Sequence, residues 1–328
     1  MGKVEKEIRV YKLQRSMELY KELVTMFSEI KKAEGKRKEE LIETSDRLLE
    51  NELEKQKGLL VRMQHREEGK PWDFSKEKAL SVFAENDGIC LVPFREEHYE
   101  GYFLAREENS AWADGYFGDK DSKDREWHDI MSDYSFPCAV IQKEDGSFAG
   151  YVHIFNTVPE VWEISIELLK PYTGKGIGCQ SLVLFMNRIT ELTGKQEYMF
   201  RVTPDNIACQ KMMSKLNARL IGLHNYYFAD EEEAKQFGEA HRELITDQIE
   251  ILAGQLSVSP EEVISHVLEY RLDVGTGKAA SKGKGTRIPV CFTQGADPED
   301  VAEAVAAFVN EYNGRLKEKE IREKGEIK

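Results

Sequence analysis

WEISIELLKPYTGKGIGCQSLVLFMNRI, residues 162–189, changes character midway, and the change decides the fold. Its first eight residues, WEISIELL (162–169), are apolar and long enough for a central β-strand, and Glu163 and Glu167 share one face of it. Its last part predicts a helix over about 178–193, with Leu182, Phe185, Met186 and Ile189 on the inner side. Between them lies KPYTGKGIG (170–178), a glycine turn leading from strand to helix. Glycine serves plain tight turns. In this place it also lets backbone N–H groups point at an anion, to which the helix N-terminus adds partial positive charge, so that a pyrophosphate would fit.

Outward from this segment, short apolar runs alternate with turn signals. Strands are expected at ICLVP (89–93), AVIQK (139–143), GYVHIF (150–155), YMFRV (198–202), RLIGLHNYYF (219–228) and EYRLDV (269–274), with helices over about 96–109 and 206–216. The order predicts α/β (α+β) architecture, a central mixed, mostly antiparallel sheet flanked by helices. Residues 231–268 interrupt the strands with two expected helices, the second opening on Ser259 as N-cap, Pro260 and Glu262.

Residues 1–70 predict a helical hairpin. Val10, Leu13, Met17, Tyr20, Val24 and Phe27 form one stripe, and beyond Gly35 a second runs through Ile42, Leu49, Leu53, Leu60 and Met63. Such a coiled-coil-like extension can pack on itself, on the rest of the chain or on a second copy, which points to a homo-oligomer through these helices. The domain reading is 1–70 hairpin, 71–274 main domain with an insertion at 231–268, 275–287 flexible linker, and 288–328 strand–helix appendage.

Composition narrows the function. The net charge of −14 over 328 residues, with 12 acidic against 3 basic residues at 229–273, argues against a phosphate-backbone partner, so nucleic acid is not expected. No apolar run of membrane-spanning length and no signal-peptide core occurs, and a cytoplasmic protein is expected. The five cysteines never form a CxxC pair, so neither a disulfide framework nor a metal site is expected. GTGKAASKGKG (275–285) fails as a P-loop, because Ala279 follows Lys278 where Ser or Thr is required.

The opening segment resembles the acetyl-CoA motif of the GNAT acetyltransferases, in the branch that includes the ribosomal-protein N-terminal acetylases and reads E-I-G-I-E-L-L-P-x-Y-R-G-K-G-I-G. In register with it, TPDNIACQKMMSKLNARLIG (203–222) is similar to the family's N-x-x-S/A…K-L-G-A/F segment, and ICLVPFREEHYEGYF (89–103) to the branch's first strand and substrate-side helix. The resemblance covers about residues 89–228. It implies acetyl-CoA as co-substrate, with Tyr172, Thr173, Gly174, Lys175, Gly176, Ile177 and Gly178 as phosphate cradle, Leu168 and Leu169 along the pantetheine path, and Asn206 touching the cofactor. Thr173 stands where Arg or Gln is usual, Lys170 where Pro is frequent, and Asn217 where Gly usually closes the turn. Asn tolerates the left-handed conformation such a helix end needs.

The implied reaction is attack of a neutral primary amine, on a small molecule or a peptide, on the thioester. It calls for a base, an oxyanion donor and an acid. Glu163 and Glu167 are the base candidates, and Glu163 matches the motif's first Glu; the alternative for both is pairing with a basic neighbour in the sheet. The family's Tyr acid position is Met213 here, which leaves Tyr226 or Tyr227 as acid, and His153 as a further candidate. The loop 111–129 could attract a cation through Asp114, Asp119, Asp121 and Asp124 and stack it on Trp112, Tyr116 and Trp127, or be a solvated loop held by aromatic anchors. A GNAT-like module that only senses or holds acyl-CoA is the alternative to an enzyme.

Overall fold

The computed structural model describes residues 2–64, 69–110 and 120–274. These divide into two compact units, one of residues 9–58 and one of residues 2–8 with the described part of 59–274.

The 9–58 unit is made of most of α1 (Lys3–Lys32) and α2 (Gly35–Gln64). Leu41 and Ser45 are buried on α2. The apolar stripes stay largely open: Val10, Tyr20, Val24 and Phe27 on α1 and Ile42, Leu49 and Leu53 on α2 are 40–47% exposed.

The larger unit continues with α3 (Ser75–Lys78), β1 (Ala84–Glu85), β2 (Ile89–Pro93), α4 (Tyr99–Asn109), α5 (Lys120–Ile130), β3 (Phe136–Gln142), β4 (Phe148–Ile154), β5 (Trp162–Leu168), α6 (Ile177–Thr193), β6 (Glu197–Val202), α7 (Ile207–Lys215), β7 (Arg219–His224), α8 (Glu231–Ala240), α9 (Asp247–Leu256), α10 (Pro260–Ser265) and β8 (Val267–Asp273). The sheet has eight strands in the order β1-β2-β3-β4-β5-β6-β8-β7. Every joint is antiparallel except β5–β6, which is parallel and pairs only at Trp162↔Tyr198 and Glu163↔Met199. Beyond those two pairs the strands part.

The two faces of the sheet differ because side chains alternate along each strand. On one face α6 buries Leu182, Phe185, Met186 and Ile189, and the Phe185 ring lies 6.1 Å from Phe136. The other face is covered by α4 and α5, whose Tyr102, Phe103, Trp127 and Ile130 form a cluster with Phe94, Tyr151 and Leu169. No helix of the described residues is long and apolar enough to cross a membrane.

Three expectations need correction. The 219–228 strand ends at His224, because Asn225 turns the chain: its Oδ1 accepts from the Phe228 N–H at 3.1 Å and its amide donates to the Asp230 carbonyl at 3.1 Å. The 231–268 insertion holds three helices, since Thr246 and Ser259 each cap a new start. The stretch read as a loop over 111–129 is helical from Lys120 onward, and there Trp127, 7% exposed and stacked 5.4 Å from Phe94, is an anchor, as one of the two readings of that stretch had it, while Asp124 pairs with Lys120 and accepts from the Tyr99 hydroxyl at 3.0 Å. Trp112, Asp114, Tyr116, Asp119, the linker and the appendage lie outside the described residues.

Candidate active site

β5 ends against α4. The Asn109 side-chain amide donates to the Leu168 carbonyl at 3.0 Å, and Glu108 accepts from the Lys170 N–H at 2.7 Å. A single 3₁₀ turn, Lys170–Tyr172, then lifts the chain off the sheet, and the Thr173 hydroxyl closes it by donating to the Lys170 carbonyl at 2.8 Å. Gly174 (φ 74°) and Gly176 (φ 83°) follow in the left-handed region, which glycine enters without strain. Gly176 is the N-cap of α6 and offers no side chain to its amides. The first of them to reach an acceptor in the helix is that of Gln180, 3.1 Å from the Gly176 carbonyl. The amides of Ile177, Gly178 and Cys179 therefore lead out of the positive end of a helix. A Cβ on Gly178 would stand 3.2 Å from Met212 Sδ and 3.6 Å from Leu168 Cδ1, so a small residue keeps this approach open. Lys175 Nζ sits 5.9 Å over the Tyr172 ring at the rim. Amides with no partner among the described residues, a helix terminus, a lysine and parting strands beside them would fit a CoA pyrophosphate, with room for its pantetheine arm where β5 and β6 separate.

The expected path residues separate. Leu169 turns into the core cluster under α4, while Leu168 stays half-buried beside Gly178. Asn206 is the N-cap of α7 and its Oδ1 accepts from the Cys209 N–H at 3.0 Å, at the exit of β6. Asn217 closes α7 with φ 57°, as its place in the motif requires.

On the α4 side, Glu163 lies where β5 and β6 part. Its Oε2 accepts from Arg201 Nη1 at 2.8 Å, and both side chains are over 90% buried. Glu269 adds a second carboxylate 3.6 Å from Arg201 Nε, and Arg271 reaches Glu269 at 3.4 Å. Burial pushes the Glu163 carboxyl up to about 7, against the pull of Arg201. Glu167 is tied to Arg106 of α4 at 2.7 Å, and Glu126 stands 3.6 Å from the same guanidinium. Both base candidates are thus paired with an arginine, and Glu163 is the one at the point where the two strands part.

The Tyr226 and Tyr227 rings meet edge to face at 4.8 Å in the loop after β7. The loop is held by Phe228, fully buried and 5.2 Å from Phe237 of α8, which gives the insertion a structural task. Burial raises both phenols well above their usual range, and the Glu163 carboxylate adds to this for Tyr226. His153 is buried beside Tyr151, and desolvation with Arg106 nearby drives its imidazole down to about 3, so it is neutral in the physiological range. Met213 is buried and brings no hydroxyl.

Arg106, Arg201, Glu269 and Arg271 were not expected at the site. The signal for three of them is the alternation of charge with apolar residues in YMFRV and EYRLD, which sets Arg201, Glu269 and Arg271 on one face. Arg106 carries no such mark in sequence.

Residues 89–219 match the family model of the acetyltransferase (GNAT) domain. No curated protein matches the chain. Similar solved structures include RimL, a ribosomal-protein alpha-N-acetyltransferase, in complex with coenzyme A (13% identity, TM-score 0.42, 59% of this chain and 98% of that chain). Others are a GNAT-family acetyltransferase from Bacillus anthracis (12%, 0.41, 58% and 98%) and Mycobacterium smegmatis RimJ in complex with CoA-disulfide (15%, 0.38, 56% and 81%). Residues 89–219 thus carry the match to the GNAT acetyltransferase domain, a family whose acyl donor is acetyl-CoA.

Proposed function

We propose that the protein moves the acetyl group of acetyl-CoA directly to a primary amine, on a small molecule or a protein N-terminus. The observation that carries this reading is Glu163, a carboxyl held near 7 at the point where the two parallel strands separate. Bound acetyl-CoA supplies the activated acyl group. Glu163, directly or through a water, takes a proton from the incoming ammonium, and the neutral nitrogen forms its bond to the acyl carbon. Backbone N–H groups on the unpaired edge of β5 offer donors for the oxyanion. As the C–S bond breaks, Tyr226, whose raised phenol stays protonated at neutral pH, gives its proton to the thiolate, and the second proton that the nitrogen sheds on becoming an amide restores the phenol. Gly174–Gly178 and Lys175 hold the pyrophosphate, with Leu168 and Asn206 beside the arm.

Residues 71–274 then act as the catalytic domain, and the open stripes of α1 and α2 join two copies in the cytoplasm. The acidic charge disfavours a nucleic-acid substrate. The test is thiol release from acetyl-CoA against a panel of amines and N-terminal peptides, with product masses recorded. Turnover giving an acetyl adduct is expected. Acetyl-CoA binding without turnover on any amine would favour a module that only holds the cofactor.

A further inference from the structure

The start of β5 and the strands beside it carry a row of buried charge on the α4 side of the sheet. Register builds it: Arg201 of β6 stands directly opposite Glu269 of β8, Met199 opposite Arg271, and Glu163 of β5 opposite Met199 at the last pair before β5 and β6 part. Arg201 lies two residues further along β6, where β5 no longer pairs with it, and it reaches back to Glu163 at 2.8 Å. Its Nε is 3.6 Å from Glu269 on the other side. Glu269 is in turn 3.4 Å from Arg271 Nη2, and Arg271 Nη1 is 3.9 Å from Glu197. The first four side chains are 3–10% exposed, and Glu197 is 37% exposed. Three carboxyls thus share two guanidiniums, and water reaches one of the three. Of the two buried carboxyls, Glu269 lies between both guanidiniums, whereas Glu163 touches one.

We infer that Glu269 is a positioning residue for the base: by engaging Arg201 from the β8 side it withholds part of the guanidinium charge from Glu163, so that Glu163 is the member of the row that gains and gives up a proton. The use of that proton rests on the acetyltransferase reading above; the hold of Glu269 on Arg201 does not. Burial is the main force lifting the Glu163 carboxyl; Arg201 draws it down, Glu269 pushes it up again, and Arg271 draws it down more weakly. The Nε of Arg271 is buried with no hydrogen-bond partner among the described residues, which leaves this arginine a donor in hand beside Glu269. Tyr226, a phenol raised well above its usual range, and His153 on β4, driven down to about 3, are uncharged near neutrality. Arg106 is engaged on the α4 side by Glu167 and Glu126.

The test is a pH titration of the glutamate carboxyl carbons by carbon-13 NMR on the full chain, which needs neither CoA nor turnover. The Glu163 signal is the one lost in Glu163→Gln, and the Glu269 signal the one lost in Glu269→Asp. In the wild-type protein Glu163 should be the carboxyl of the row that titrates near 7. Glu269→Gln should lower its midpoint by at least about one pH unit, because Arg201 then serves a single buried carboxylate. Glu269→Asp keeps the charge and should leave the midpoint within about half a unit. Arg271→Gln should raise it by about half a unit or more, since Glu269 then leans on Arg201 alone, and this variant carries the test if Glu269→Gln does not fold. With acetyl-CoA and an accepted amine, the acid limb of kcat/KM should follow the carboxyl in each variant; a merely structural Glu269 would lower the rate and move neither. A Glu163 midpoint unchanged in both Glu269→Gln and Arg271→Gln, or a wild-type titration near 7 that belongs to Glu269, overturns the inference. A midpoint that moves while the limb stays upholds the hold on Arg201 and removes Glu163 as the base, a failure of the acetyltransferase reading alone.

Discussion

Replacing Glu163 by Gln should make the protein's stability respond differently to pH. The Gln side chain keeps the shape and can still accept from Arg201, but it is never charged. Burial raises the Glu163 carboxyl from 4.5 to about 7. At about 1.4 kcal/mol for each pH unit, ionising it in the fold costs about 3 kcal/mol relative to the unfolded chain. A carboxyl with a raised folded value is favoured by the fold in its neutral form. Its contribution is fully present below 4.5 and is lost as pH rises through about 7. Urea unfolding followed by tryptophan fluorescence reads this directly, because Trp162 and Trp127 are buried in the larger unit. Between pH 4.5 and 8 the wild-type protein should lose about 3 kcal/mol relative to Glu163→Gln, or roughly 6–12 °C in Tm for a domain of this size. Other groups titrate equally in both proteins and cancel. Parallel profiles would refute the reasoning, since Glu163 would then ionise as an ordinary carboxylate and Arg201 would outweigh its desolvation.

Gly178→Leu should weaken acetyl-CoA binding by about tenfold or more in calorimetry, because the new side chain fills the space between Met212 and Leu168, 3.2 and 3.6 Å from where its Cβ would lie. Tyr226→Phe should lower kcat by about a hundredfold with acetyl-CoA affinity unchanged, as removal of a proton donor to the leaving thiolate does; an unchanged rate would assign the acid elsewhere. Val24→Glu with Phe27→Glu, both 47% exposed on α1, should reduce the oligomer to a monomer by light scattering without loss of cofactor binding. An unchanged mass would remove these helices as the interface.

The strands nearest the chemistry were legible because their signals are local. ICLVP needed no correction, and WEISIELL was one residue long at its end. Alternation along five to seven residues and a glycine turn between strand and helix are properties of neighbouring residues, and Gly174, Gly176 and Asn217 occupy the left-handed conformations their types suggested. What stayed illegible depends on partners distant in the chain. The pairing of Glu163 with Arg201, 38 positions away, and of Glu167 with Arg106, 61 away, follows from strand order and the placement of α4, which no local pattern encodes. The 219–228 run reads as one strand because Tyr and Phe favour strands, and a single Asn225 turn overrides that preference. Leu168 and Leu169 look equivalent in sequence, but the end of β5 sends them to different environments, one beside the glycine turn and one into the core. The reach of the first turn of α1 to Asp205, 201 positions away, had no signal at all.

The central claim, a cradle for acetyl-CoA served by Glu163 as base, is tested most directly by the pH profile of thiol release in wild type and Glu163→Gln between pH 5.5 and 9. Wild-type kcat/KM should rise with an apparent midpoint near 7 and then level. The Gln variant should run about a hundredfold or more slower without that limb, while its acetyl-CoA affinity stays within about twofold. A variant that keeps both the rate and the limb would contradict the account, placing the base at another residue and leaving Glu163 a structural partner of Arg201.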